Sequence, residues 1–217
     1  MKFKNNTLQI ACDGGGATGK STAAKLISKK YNLKFLSSGL LYRYASFLIL
    51  KNKPKNKISF LEKKFKKLNI KNLNRINLHS VEISEYSSMI AKNLKIRKIL
   101  KKFQINFSKN NNCCIEGRDI ATKILPYSDV KFFFKCSLDI ASKRRFKELK
   151  KFNPSLKLND VKKALKKRNI SDTNRKNSPL LKHRDSIVID TGKINKTTMV
   201  KKMSFYIEKV INQKYDK

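Results

Sequence analysis

The segment from Gly14 to Ser21 has the composition and spacing of a loop that binds phosphate groups. It reads Gly-Gly-Gly-Ala-Thr-Gly-Lys-Ser, follows a short apolar run and precedes a helical pattern. This fits G-x-x-x-x-G-K-[ST], in which glycines let backbone N–H groups turn toward phosphates. Lys20 is expected to reach the outer phosphates of ATP, and the Ser21 hydroxyl to bind Mg²⁺. The residues predicted to contact ATP are Gly14, Gly15, Gly16, Ala17, Thr18, Gly19, Lys20, Ser21 and Thr22.

The same glycines also fit a second motif. Gly14, Gly16 and Gly19 have the G-x-G-x-x-G spacing of a dinucleotide-binding turn. That motif requires an acidic residue near the end of the second strand to hold a ribose, and the sequence there is Leu-Ser-Ser-Gly at 36–39. It also leaves the lysine and serine that follow Gly19 unexplained, so the phosphate loop is the better interpretation.

Arginines are the leading candidates for further catalytic residues. No Ser/His/Asp or Cys/His combination stands out, and phosphoryl transfer between two anions depends on positive charge and alignment. The 52 basic residues include only nine arginines. A chain that is basic mostly through lysine is expected to keep arginine where a planar two-point donor is required. Arg75 and Arg184 are interpreted as ordinary surface residues.

Three further segments follow the phosphate loop in a fixed order. They read Ser-Ser-Gly-Leu-Leu-Tyr-Arg at 37–43, Gly-Arg-Asp-Ile-Ala-Thr at 117–122, and Arg-Asn-Ile-Ser-Asp-Thr-Asn-Arg at 168–175 before Pro179-Leu180. With these motifs the chain resembles the bacterial cytidylate kinases, in the nucleoside-monophosphate (NMP) kinase group of P-loop NTPases. The resemblance extends over nearly the full length and is weakest across about 51–81.

The resemblance implies phosphoryl transfer from ATP, with Mg²⁺, to CMP or dCMP in the cytoplasm by a monomer. The acceptor phosphate is already anionic at pH 7, so no general base is required. Two alternatives stay open at this point. One is another small-molecule P-loop kinase acting on AMP, UMP or a non-nucleotide. The other is a basic P-loop protein that binds nucleic acid.

The resemblance also assigns roles to single residues. Those implied to hold the acceptor phosphate are Ser38, Arg43 and Arg118. Those implied to read the cytosine are Ser88, Arg97 and Asp119. We expect Ser88 and Arg97 to lie on one face of a single helix spanning 83–107, because they are nine residues apart.

Further roles implied by the resemblance concern the ribose and the transferring phosphoryl group. Arg168 and Asp172 would hold the ribose hydroxyls, and Arg175 would add positive charge over the phosphoryl group. Arg144 and Arg145 resemble the basic lid that closes over ATP, and an ordinary exposed helix face stays open as the alternative for this pair. The residues expected to stabilise the reaction itself are Lys20, Arg118, Arg144, Arg168 and Arg175.

Four residues depart from the family pattern. Ser37 replaces an Asp, Ala121 replaces a Gly, and Ser171 and Thr173 replace arginines of the lid. The first change puts any Mg²⁺ or water contact of that Asp in doubt, and the last two are expected to weaken lid closure. The region 51–81 is short, so its small antiparallel sheet is expected to be reduced or absent.

The elements that must position these residues are those of an α/β protein. Short apolar runs alternate with helical patterns, which indicates a parallel sheet flanked by helices. The predicted strands are Leu8–Cys12, Lys34–Leu36, Cys113–Glu116, Val130–Cys136 and Ser186–Asp190. With the resemblance, we expect a P-loop NMP-kinase fold in one domain over 1–217. Its core is expected at about 1–50, 109–138 and 176–217, with an NMP-binding insertion at 51–108 and a lid insertion at 139–175.

The net charge of +37 is distributed along the whole chain. We therefore expect weak, non-specific binding to polyanions at low salt, and no specific nucleic-acid partner. No apolar run approaches the ~18 residues that a membrane helix needs, so no membrane association is expected. The four cysteines lie in apolar runs without metal-binding spacing, and we expect them to be buried and reduced.

Overall fold

A computed structural model describes residues 7–151 and 153–215. Its Cα packing divides the chain into two compact units. The sheet unit comprises residues 1–36 and 111–217, and the helical unit comprises Ser37–Asn110. The helical unit begins earlier than the NMP-binding insertion, which was predicted to start near residue 51. The assignment of 51–108 to NMP binding and of 139–175 to a lid stays a prediction.

Five parallel strands form one sheet in the order β2-β3-β1-β4-β5. The strands are β1 (Gln9–Gly14), β2 (Lys34–Ser37), β3 (Cys113–Gly117), β4 (Val130–Lys135) and β5 (Ile187–Asp190). This confirms the predicted five-stranded parallel sheet, with ends that shift by one or two residues. Because β1 is central, the loop that follows it lies at the middle of the carboxyl edge of the sheet, where ligands bind in open α/β sheets.

Four α-helices of the sheet unit flank or follow the strands along the chain. They are α1 (Lys20–Lys30), α6 (Leu138–Lys150), α7 (Leu158–Asn174) and α8 (Lys196–Tyr215), with a short π-helical segment at Ile120–Ile124. Apolar residues of α1 and α8 pack into one core with β1, β3, β4 and β5. That burial explains why the strands read as continuous apolar runs instead of alternating patterns.

The predicted lid segment consists of α6 and α7, which pack against each other. The connection between them contains Asn153-Pro154, and an ion pair joins Lys162 to Asp139 at 2.5 Å. Ala141 of α6 and Leu165 of α7 are buried. The pair is therefore a packed helical hairpin and not two independent helices.

The helical unit contains α2 (Ser38–Asn52), α3 (Lys57–Lys66), a 3₁₀ segment (Ile70–Arg75), α4 (Val81–Ile90) and α5 (Leu94–Lys109). Phe65 contacts Tyr44 and Phe103 edge-on, with ring centroids 5.9 and 5.8 Å apart, and Leu61 and Leu100 are fully buried beside them. Residues 38–110 include no strand. The side chain of Arg75, predicted to be an ordinary surface residue, lies outside the described part of the chain.

The prediction of one helix across 83–107 is wrong. The chain leaves the helical path after Ile90 and begins a new helix at Leu94. Asn93 caps the second helix, because its side-chain oxygen accepts a hydrogen bond of 3.1 Å from the backbone N–H of Ile96. An asparagine in this role satisfies a backbone donor that the first helical turn leaves without a partner.

In the part of the chain that the structure describes, no helix has both the length and the apolar composition needed to cross a membrane. Cys12, Cys113 and Cys114 are buried as expected, and Cys136 is half-buried.

Candidate active site

The phosphate loop connects β1 to α1 and requires glycine at two positions. A side chain on Gly14 would place its Cβ only 2.5 Å from the backbone oxygen of Phe134, on the neighbouring strand β4. Gly19, which precedes α1, has a φ of +82°, a conformation that favours glycine. Inside the loop, the Thr18 hydroxyl donates a 3.1 Å hydrogen bond to the oxygen of Gly15. The helix N-terminus therefore meets the loop in the geometry expected of a phosphate site.

Lys20 is the first residue of α1, and its side chain is buried. Its ammonium donates to the Gly15 oxygen at 3.1 Å and lies 3.6 Å from the Glu116 carboxylate. The pKa of Lys20 is lowered to about 8, chiefly by burial and next by the positive charge of Arg118, against the opposing effect of Glu116. The predicted phosphate-binding lysine is therefore held at the loop by contacts within the protein.

Sequence reasoning missed Glu116, which is buried near the end of β3. This strand pairs with β1 so that Glu116 is opposite Cys12, two residues before the loop glycines. The signal was an acidic residue inside an otherwise apolar strand, immediately before Gly117 and Arg118. Sequence reasoning also missed Asp13, whose two carboxylate oxygens accept hydrogen bonds from the backbone N–H groups of Ile120 and Ala121.

Arg118 and three predicted site residues of the 168–175 segment lie close together. Asp172 of α7 accepts a 2.9 Å hydrogen bond from Arg118 and a 3.4 Å hydrogen bond from Arg175, and Arg168 lies 4.0 Å away. Burial alone would raise the pKa of Asp172, but the three arginines outweigh it and hold this pKa below its usual value. The result is a cluster with three positive charges and one negative charge, which suits the binding of phosphate groups.

Arg144 lies against the phosphate loop and not on an exposed helix face. Its guanidinium donates to the hydroxyl and to the backbone oxygen of Thr191, at 2.8 and 2.7 Å. The Thr191 hydroxyl donates in turn to the oxygen of Thr18, at 2.8 Å. Arg145 differs from its neighbour, because its guanidinium donates to Glu148 on the same helix. Only Arg144 of this pair is therefore placed at the loop.

Asn169 of α7 contacts the loop directly, which the sequence did not predict. Its side-chain oxygen accepts a 3.2 Å hydrogen bond from the N–H of Gly16. A Cβ on Gly16 would lie 2.6 Å from the Cδ1 atom of Leu165, so a side chain here would make Leu165 of α7 shift. Among the substituted positions of the family pattern, Thr173 donates its hydroxyl to the backbone oxygen of Asn169 at 3.0 Å.

The remaining predicted residues belong to the helical unit. Arg43 forms a 2.5 Å hydrogen bond with Nδ1 of His79, and Ser88 donates to the Ser84 oxygen at 3.2 Å. Ser38 is buried at the start of α2. The hydroxyl of Ser37, the residue that replaces the family's Asp, caps α2 by accepting from the N–H of Leu40.

Arg97 is buried on α5. It donates to the Ala91 oxygen at 3.0 Å, and its guanidinium carbon lies 5.6 Å from the centre of the Tyr42 ring. Since Ser88 is on α4, the expectation that Ser88 and Arg97 share one helix face is wrong. The turn after Ile90 separates them, although both stay within the helical unit.

Oxygen donors suited to Mg²⁺ are present at the phosphate loop. Ser21 is half-buried in the first turn of α1. The buried Glu116 carboxylate lies 3.6 Å from the ammonium of Lys20, the residue before Ser21. Mg²⁺ is usually held by one or two protein oxygens together with substrate phosphates and water. In the described ranges, no group of three or more His, Cys, Asp or Glu side chains could hold a metal ion. The Ser21 hydroxyl and the Glu116 carboxylate are of the type that binds Mg²⁺ together with nucleotide phosphates.

Comparisons with known proteins agree on one family. The family model for cytidylate kinase matches residues 10–209. A cytidylate kinase of Clostridium botulinum is 35% identical over 214 residues, covering 93% of this chain and 98% of that protein. One from Thermosipho melanesiensis is 32% identical over 216 residues, covering 95% and 97%. A shikimate kinase of Bacteroides thetaiotaomicron, 11% identical, superposes over 93% of this chain and 98% of that chain with a TM-score of 0.53, which shows a shared fold.

Proposed function

The chain belongs to the cytidylate kinase family, and we propose that its phosphate loop and arginine cluster transfer the γ-phosphoryl group of ATP to CMP or dCMP. The observation that carries this proposal is the convergence of Arg118, Arg168, Arg175 and Asp172 in the unit that also holds Lys20. The alternatives of another acceptor or of nucleic-acid binding are not favoured by the family. A monomeric state and a cytoplasmic location stay predictions.

The proposed chemistry needs charge and alignment rather than proton abstraction. The acceptor phosphate is an anion at neutral pH, so it can attack without a general base, and the enzyme must bring two anions into line. Lys20 would stabilise the outer phosphates of ATP from the head of α1. Arg118, Arg168 and Arg175 would stabilise charge on the transferring group, and Arg144 would support the loop through Thr191.

Mg²⁺ would neutralise charge on the β- and γ-phosphate oxygens. Ser21 is the proposed protein ligand, and Glu116 is a second oxygen donor beside Lys20. Exclusion of water by the α6–α7 hairpin would limit hydrolysis of ATP.

The residues proposed to bind CMP rest on the family resemblance. Those proposed to hold its phosphate are Ser38, Arg43 and Arg118. Those proposed to read its base are Ser88, Arg97 and Asp119. An ionised carboxylate accepts hydrogen bonds and donates none, so Asp119 suits the exocyclic amino group that distinguishes cytosine from uracil.

An acceptor screen tests the function. The purified protein is given ATP and Mg²⁺ with CMP, dCMP, UMP or AMP, and diphosphate formation is measured. We expect kcat/KM for CMP or dCMP to exceed that for AMP by about 10²-fold or more, because a site built to hydrogen-bond one base leaves buried groups unpaired with another. Lys20→Ala, purified in the same way, controls for kinases of the expression host. Equal turnover of AMP and CMP by the unmodified protein would contradict the proposed substrate.

A further inference from the structure

The Asp13 carboxylate connects two segments that are distant in sequence. Asp13 is the residue before Gly14 at the end of β1, and only 1% of its surface is exposed. One carboxylate oxygen accepts a 2.9 Å hydrogen bond from the N–H of Ile120, and the other accepts a 2.7 Å hydrogen bond from the N–H of Ala121. Two consecutive backbone amides are therefore held by the two oxygens of one side chain.

The segment that Asp13 holds is short and unusual. Ile120–Ile124 forms one π-helical turn, in which the N–H groups of Lys123 and Ile124 donate to the Asp119 oxygen at 2.9 and 3.2 Å. The first N–H groups of a helical turn have no acceptor within it and need one from elsewhere. Single π-turns occur frequently at functional sites. Asp13 supplies the acceptors that this turn requires.

The turn follows directly after two residues proposed to contact the acceptor. Arg118 bonds to Asp172, and Asp119 is buried at the start of the turn. Asp13 itself begins the loop proposed to hold ATP. One residue thus stands at the junction of the donor-binding and acceptor-binding segments, both within the sheet unit.

We propose that Asp13 is a positioning residue that fixes Arg118 and Asp119 relative to the phosphate loop, and so sets acceptor affinity and base selectivity. This inference rests on the proposed function. An ionised carboxylate suits the task because it offers two acceptors, whereas an asparagine offers one acceptor and would face the second N–H with donors of its own.

The charges around Asp13 bear on its ionisation. The net effect is a pKa of Asp13 raised to about 7. Burial raises it most, the two N–H donors lower it, the negative charge of Asp119 raises it, and the nearby Lys20 lowers it. A protonated carboxyl group has a hydrogen on one oxygen and cannot accept equally well at both. We therefore expect the two hydrogen bonds to weaken as pH falls through about 7.

The experiment compares Asp13→Asn with a matched variant, Asp129→Asn, whose carboxylate binds the other end of β1. Asp129 accepts a 2.7 Å hydrogen bond from the backbone N–H of Gln9, at the start of β1. We expect Asp13→Asn to raise KM for CMP by about 10-fold and to narrow the CMP-to-UMP ratio of kcat/KM, with the ATP dissociation constant changed by less than about 2-fold. Asp129→Asn is expected to leave the CMP-to-UMP ratio unchanged.

A purely structural role would give a different result. In that case Asp13→Asn would lower thermal stability and the active fraction, while KM for CMP and the CMP-to-UMP ratio would stay at their original values, and the proposal would be overturned. If the unmodified protein does not phosphorylate CMP, the proposed function fails. If the unmodified protein phosphorylates CMP, and Asp13→Asn has the same KM for CMP and the same CMP-to-UMP ratio, only the role of Asp13 fails.

A second measurement uses the unmodified protein and does not depend on a variant that folds. The amide NMR signals of Ile120 and Ala121 are followed from about pH 4 to pH 9. We expect both signals to titrate together with a midpoint of about 7, because both N–H groups bond to one carboxylate. One signal that titrates without the other, or two signals with different midpoints, would show that the two N–H groups do not share this carboxylate and would overturn the proposal.

Discussion

The Lys20 ammonium lies 3.6 Å from the Glu116 carboxylate, and only 7% and 6% of the two side chains are exposed. Each charge therefore depends on the other for compensation in a site with little access to water. The pair joins the phosphate loop to the end of β3, the strand that leads to Arg118. Loss of one partner is expected to affect stability as well as catalysis.

Lys20→Met should lower kcat by about 10²-fold or more, because a preorganised positive charge is lost. It should also lower the free energy of unfolding by roughly 3–5 kcal/mol, because the buried Glu116 loses the compensating charge of Lys20. The double variant Lys20→Met/Glu116→Gln should recover stability but not activity. Chemical denaturation and steady-state kinetics on the three proteins measure both effects. If Lys20→Met were as stable as the unmodified protein, the buried pair would contribute no stability.

The pKa of Lys20 predicts the alkaline limb of the activity profile. With this pKa at about 8, the side chain is cationic below pH 8 and neutral above it. We therefore expect kcat/KM for ATP to fall as pH rises through about 8. The same shift means that the folded protein loses the proton before the unfolded chain, so this group makes the protein more stable as pH rises from 8 toward 10.5. A flat kcat/KM profile up to about pH 9.5 would contradict the assignment.

Asp172→Ala should reduce turnover of CMP more than turnover of dCMP. The 2′ hydroxyl exists only in CMP, and loss of its buried partner should cost about 1–3 kcal/mol in kcat/KM. Asp160→Ala, at an exposed position on the same helix, is the control and should change neither substrate. Equal losses for CMP and dCMP would mean that Asp172 serves to hold Arg118 and Arg175 in place.

Asp119→Asn should lower kcat/KM for CMP and reduce the CMP-to-UMP ratio of kcat/KM. An amide can accept from cytosine or donate to uracil, whereas a carboxylate only accepts and would face the uracil carbonyl with repulsion. The expected loss of discrimination is about 1–3 kcal/mol. The measurement is kcat/KM for both acceptors, with thermal melting as the folding control. If a folded variant keeps the original CMP-to-UMP ratio, Asp119 does not read the base.

Local sequence predicted the parts of the fold that depend on local patterns. The phosphate loop follows a strand and begins a helix, because glycine and lysine spacing encodes that turn directly. The five strands were recognisable because each is buried and reads as an apolar run. The break after Ile90 also had a local signal, since Asn93 is a favourable helix cap, but the apolar periodicity on both sides of it suggested one continuous helix.

The rest depends on contacts between residues that are distant in sequence. Asp13 and Ile120 are 107 positions apart, and Gly16 and Asn169 are 153 positions apart. No periodicity or spacing rule relates such pairs, because the strand order of the sheet and the packing of α7 bring them together. For the same reason Arg144 could be expected near the nucleotide by resemblance, but its attachment to Thr191 required the structure.

The contact between Asn169 and the Gly16 N–H means that the loop meets an incoming nucleotide with this donor already satisfied. A phosphate oxygen that accepts from the Gly16 N–H must displace the side-chain oxygen of Asn169. The contribution of this contact to ATP affinity is therefore the difference between the two hydrogen-bond energies. By thermodynamic linkage, a change that removes only the Asn169 oxygen should strengthen a phosphate contact at the Gly16 N–H, and a phosphate bound there should weaken the Asn169 contact by the same factor.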